Sequence, residues 1–203
     1  MIVTLLLIAV TVAVSLYAFN HRETGMGLAM WPPAIRGRRQ YYRFVTYGFV
    51  HADMQHLLFN MITLFFFGRA VEQLLGAYLG PYGFALFYLT AVAVSILPSY
   101  QKHRNDHHYV SIGASGAVSA ILFSFILFQP WSMILVFFFP IPAIVYAILY
   151  VAFTIYMDRR GKDNINHSAH LWGAAYGVLI TLAVAPGVLD GFLQQLLHPG
   201  FAF

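Results

Sequence analysis

Cysteine is absent from this chain of 203 residues. That excludes disulfides, thiolate metal sites and a cysteine nucleophile. Charge is nearly absent too: Asp, Glu, Lys and Arg make up 9% of the residues, against about 25% in a soluble domain. No long basic run or basic helical face exists, so nucleic acid is not an expected partner. Only seven acids occur: Glu23, Asp53, Glu72, Asp106, Asp158, Asp163 and Asp190. Repeats and low-complexity segments are missing as well. What is abundant is apolar: 60% of residues are hydrophobic, 17% aromatic, and the mean hydropathy is +0.71. These residues come in long runs, which points to a bilayer as the solvent.

The runs predict an all-α, polytopic membrane protein forming a single domain over 1–203, with six spans near 2–19, 55–75, 82–98, 115–129, 131–157 and 168–189. The first run precedes the first basic residue, Arg22, so it reads as an uncleaved span rather than a secretory signal. Residues 20–45 carry Trp31-Pro32-Pro33 and five arginines, and read as an interfacial or re-entrant loop 1. Pro140 and Pro142 predict a kink or a late helix start in the fifth span. With six spans, ten of the eleven Lys and Arg fall in loops 1, 3 and 5. The positive-inside rule puts those loops in the cytoplasm and both termini outside.

Polar groups inside spans are costly and usually have a purpose. Gly113-Ala114-Ser115-Gly116 opens the fourth span. Alone, such a serine reads as a helix cap. Flanking glycines and free helix N-terminal amides also suit a nucleophile with an oxyanion site beside it. In the sixth span, His170 is followed by Gly173 and Gly177, a small-xxx-small pair that permits close helix packing. Gly116 and Ala120 offer a matching surface, and if the two faces meet, His170 can serve Ser115 as base. In the second span, His56 and Asn60 are four apart and share one helix face, as hydrogen-bond donors or as interhelical polar glue. A metal reading would draw on His167, His170, His107, His108, His51 and His56. It lacks cysteine, an HExxH pattern and an acid near His170, so no metal is expected. The same shortage of acids permits a Ser-His dyad rather than a triad.

Together these motifs resemble the rhomboid family of intramembrane proteases over about residues 41–180. The shared pattern is HxxxxHxxxN at the second span, GxSG at the fourth and HxxGxxxG at the sixth. The resemblance implies that Ser115 is the nucleophile and His170 its base, with His56, Asn60 and the Ser115 amide forming the oxyanion hole. His51, Arg43 and Glu72 would be structural, although Tyr42 stands where the family has tryptophan before the arginine. The fifth span and loop 5 would gate entry of transmembrane protein substrates, with no cofactor. The family also implies cytoplasmic termini, opposite to the charge count, and the compact chain suggests a bacterial inner membrane. A catalytically silent client-binding protein and a small histidine-lined transporter are the alternative readings.

Overall fold

The computed structural model describes residues 1–80, 82–136, 138–161, 163 and 165–200. Lys162, one of the loop 5 cations, and Phe203 at the C-terminus lie outside them. The first helix, α1 (Ile2–Asn20), turns Thr4, Thr11 and Ser15 inward and Leu5, Leu6 and Val10 outward. Leu58, Phe59, Phe66, Leu86 and Ile148 on later helices are likewise exposed. An apolar exterior around an interior with buried hydroxyls suits hydrocarbon, where outward leucines cost nothing and polar groups must pair inside.

Loop 1 is not featureless. It folds into α2 (Arg22–Leu28), α3 (Pro32–Arg38) and α4 (Arg43–Thr46), none longer than 7 residues. Proline at the start of α3 suits a first helical turn, whose N–H groups have no internal partner. Arg43 is the buried clamp of this region, donating to Gln40 Oε1, Met26 O and Ala29 O at 2.6–2.7 Å. Guanidinium burial is tolerated because Nε and Nη1 find acceptors.

The second apolar segment is α5 (Met54–Thr63), a π-helical turn Leu64–Gly68, and α6 (Arg69–Leu79). Asp53 caps α5, its Oδ1 accepting from the His56 amide at 2.7 Å. Glu72 reaches α1, accepting from the Val3 and Thr4 amides at 3.0 and 2.9 Å and from the Thr4 hydroxyl at 2.6 Å. One carboxylate thereby satisfies free donors of the α1 N-terminus. Next, α7 (Gly83–His103) continues five residues beyond Pro98, where the apolar run ends in the sequence.

At the centre stands α8 (Ser115–Phe128), with every residue from Gly116 to Leu127 buried. An antiparallel hairpin follows, β1 (Met133–Val136) and β2 (Phe139–Pro142), before α9 (Ala143–Arg160). The fold is therefore not purely helical. The apolar run from 131 is continuous, but Pro140 and Pro142 cannot supply helix N–H donors, so the helix starts only after them. The last long helix, α10 (His167–Val184), ends earlier than its apolar run. Pro186 and Gly187 (φ 82°) break it, and α11 (Val188–Leu197) departs at 111°.

Among the described residues, three helical segments are long and apolar enough to cross a membrane: Ile2–Asn20, Met54–Leu79 and Gly83–His103; a bent α10–α11 span would make four. The tightest crossing joins α8 and α10. A Cβ on Gly173 would lie 2.0 Å from Gly116 O, and one on Gly177 would lie 2.1 Å from Ala120 O. Backbone meets backbone there, as small-residue interfaces allow. This crossing positions the site.

Candidate active site

Ser115 is the first residue of α8, and His170 lies one turn into α10. The glycine contacts bring these helix ends together, and His170 Nε2 stands 2.7 Å from Ser115 Oγ. With the imidazole proton on Nδ1, Nε2 accepts the serine O–H, the arrangement that activates a nucleophile. Among the described residues His170 has no carboxylate partner. The acid in this region, Asp163, is gripped by His167 Nε2 at 3.0 and 3.1 Å. That hydrogen bond holds the Asp163 carboxyl below the usual carboxylate range. Among the described residues, no three His, Asp or Glu converge as metal ligands.

His170 is braced by aromatic packing. The Tyr150 ring of α9 lies nearly parallel to it at 6.3 Å, and its hydroxyl is 2.6 Å from Ser119 Oγ, one turn beyond Ser115. The His167 ring stands edge-on to His170 at 5.9 Å. Sequence reasoning missed Tyr150, because a tyrosine in an apolar run carries no motif. It also missed Asn166, which caps α10 by accepting from the Ala169 amide and from Ser99 Oγ. Its Nδ2 donates to Tyr109 Oη and Ser111 Oγ at 3.0 and 3.2 Å. The signal available was position: Asn immediately before an apolar-periodic run is a helix-start signature.

Around the pair lies a cavity of about 980 Å³, lined by His56, Asn60, Gly113, Ser115, Tyr146, Tyr150, Asn166, His167 and His170 among others. Gly113 has φ 117°, and a Cβ there would fall 2.6 Å from His56 Cε1. Only glycine combines that backbone with room for the imidazole. Gly116 is held as closely, since its Cβ would meet Ser95 Oγ at 2.3 Å. Asn60 is buried and donates one N–H to His56 O at 2.9 Å, leaving its second for the cavity. His51 sits behind them, buried, its Nδ1 2.9 Å from Ser15 Oγ and its Nε2 accepting from the Ala114 amide at 3.4 Å. It ties α1 and the turn before Ser115 together and packs edge-on against His56 at 4.9 Å. Arg43 and Glu72 lie away from the cavity, in the contacts described above.

Residues 38–187 match the model of the rhomboid domain. RHOMBOID-like protein 12, mitochondrial, of Arabidopsis thaliana is 34% identical over 158 residues, covering 72% of this chain and 47% of that one. Rhomboid-related protein 1 of Caenorhabditis elegans is 27% identical over 192 residues, covering 88% and 49%. The rhomboid-type protein YdcA of Bacillus subtilis is 30% identical over 152 residues, covering 70% and 66%. The chain spans about half the length of the first two relatives.

Proposed function

The chain belongs to the rhomboid family, and on that premise we propose that it is an intramembrane serine endopeptidase that cleaves transmembrane segments through a Ser115–His170 dyad. The observation that carries this reading is the 2.7 Å contact between His170 Nε2 and Ser115 Oγ inside a polar cavity walled by apolar helices. His170 takes the Ser115 proton as Oγ bonds to the scissile carbonyl carbon. The oxyanion is held by His56, Asn60 and the Ser115 amide at the positive end of α8. The C–N bond then breaks, His170 returns the proton to the leaving amine, and water activated by His170 releases the acyl-enzyme. A transmembrane helix resists attack because its backbone bonds are internally satisfied. Segments that unwind easily are therefore the substrates.

In this reading α1, α5–α6, α7, α8, α9 and α10 are the six spans, and α2 to α4 form the interfacial loop 1. Tyr150 places α9 against His170 and against Ser119, one turn beyond Ser115, which suits a helix that admits substrate sideways. A bacterial inner membrane remains the proposed setting, beside the mitochondrial one named for a relative, and fractionation of the source cell decides between them. The activity test is labelling of detergent-purified protein with a fluorescent fluorophosphonate. Label on wild type, lost in Ser115→Ala and in His170→Ala, supports the dyad. A folded wild type that takes no label points to a client-binding protein. Equal label on all three removes Ser115 from the role.

A further inference from the structure

Next to the catalytic cavity, on the outer side of residues 101–108, lies a second concavity of about 270 Å³. It is lined by Pro33, Arg36, Gly37, Arg104, Asn105 and His107, so two guanidiniums and an imidazole face it and no acid does. Both arginines are exposed, and Arg36 Nη1 is held by Asn105 Oδ1. The loop is anchored on its far side, where Trp31 Nε1 donates to His107 O at 3.0 Å. The one acid of the loop, Asp106, is occupied elsewhere: it accepts from the His108 amide at 2.9 Å and lies 3.7 Å from His103 Nδ1. The result is a cationic pit in which Arg36 and the His107 backbone are held in place.

Its depth identifies the ligand. The α7 helix has 21 residues, about 31 Å of rise, which matches the roughly 30 Å of a bilayer's hydrocarbon core. Arg104, Asn105 and His107 follow directly on its end, at the level of lipid phosphates. Trp31 beside them, with exposed Tyr41 and Tyr42 on the same loop 1, is the residue type that marks this level. We infer that the pit formed by Arg36, Arg104 and His107 binds the phosphate headgroup of an anionic phospholipid, against the same 101–108 segment whose Lys102, His103 and His108 line the catalytic cavity. Arginine forks suit phosphate oxygens, and the juxtaposition lets a bound lipid hold the mouth of the cavity. The site stands independently of the proteolytic reading.

The test is a titration of the full chain in mild detergent with phosphatidylglycerol, followed by native mass spectrometry, with phosphatidylcholine as the zwitterionic comparison. Arg36→Gln and Arg104→Gln should each weaken phosphatidylglycerol binding by roughly fivefold, and the pair by about 25-fold. Arg159→Gln with Arg160→Gln, which removes two cations elsewhere, should leave it within about twofold. Arg36→Lys with Arg104→Lys keeps the charge, loses the fork and guards against misfolding; it should bind more weakly than wild type and more tightly than the glutamine pair. Equal losses from the two glutamine pairs would overturn the site in favour of diffuse attraction, and no loss from the Arg36 and Arg104 variants would overturn it outright. Displacement of the lipid by inorganic phosphate at comparable concentration would reassign the pit to a free anion. Ser115→Ala protein should bind the lipid like wild type, so this result and the labelling result can fail separately.

Discussion

At the scale of single residues, Asn166 shows how much one amide can organise. It caps α10 from the position just before the helix, accepting from the Ala169 amide, and its other contacts tie Ser99 of α7 to Tyr109 and Ser111 of the loop before α8. Removing it strands several half-buried polar groups at once. Asn166→Ala should cost about 2–4 kcal/mol, a lost cap plus unpaired partners, measured by unfolding in mixed detergent. It should also slow fluorophosphonate labelling, because His170 lies one turn further along the same helix. The Asp163–His167 contact gives a pH signature. The Asp163 carboxyl is held below its usual range by the hydrogen bond from His167. A depressed carboxyl contributes above its unfolded value near 4 and loses that contribution as pH falls through the lowered folded value. Hydrogen exchange at the start of α10 should therefore rise in acid below about pH 4, and Asp163→Asn should show the raised exchange already at neutral pH.

At the scale of elements, the α8–α10 crossing sets the dyad. An alanine at Gly173 would press its Cβ to within 2.0 Å of Gly116 O, and backbone cannot step aside as a flexible side chain can. Gly173→Ala should cost at the upper end of the roughly 1–3 kcal/mol typical of overpacking, with labelling lost even where the protein stays folded. Tyr150→Phe removes the bond to Ser119 and keeps the ring against His170, so labelling should fall only a few-fold; Tyr150→Ala removes both and should lower it further. Comparing the two initial labelling rates separates the ring from the hydroxyl. How much was legible beforehand follows the same division. The small-residue spacing of Gly116/Ala120 and Gly173/Gly177 already marked two faces able to meet, because helical periodicity is local. The hairpin at 133–142 was not legible beyond its prolines, since hydropathy alone cannot tell strand from helix in a short apolar run. Tyr150 and the Arg36–Arg104 pit were invisible because each depends on partners 30 to 70 residues away in the chain, and Asn166 showed its cap position but not its distant partner Ser99.

At the scale of the whole molecule, orientation is the open physical question. Charge distribution and family pattern oppose each other on which side loops 1, 3 and 5 face. The absence of native cysteine makes a clean test possible, since any single introduced cysteine is the only thiol. Arg38→Cys in loop 1 and His198→Cys after α11 should label from opposite sides of sealed vesicles if the proposed six spans hold. Labelling of both from one side would demand an even number of crossings between them. Which of the two labels from the cytoplasmic side then decides between the charge rule and the family orientation. The proposed lipid pit offers a reason for the conflict: Arg36 of loop 1 and Arg104 of loop 3, committed to a headgroup, need not act as topology signals.

The π-helical turn at Leu64–Gly68 sits between two residues that must face different partners: Asn60 toward the cavity and Glu72 toward the α1 N-terminus. A wide turn of this kind holds one residue more than a regular helix would, so it acts as a phase adjuster along the segment. The consequence is an asymmetry in tolerance to length change. Removing one residue from 64–68 would give a regular helix with Glu72 still turned toward α1, whereas adding one would rotate everything after it by about 100° and swing Glu72 off α1. The insertion parts the first helix from its anchor, while the deletion leaves it in place. In a scan of single-residue length changes, this stretch of featureless phenylalanines should accept a loss and refuse a gain.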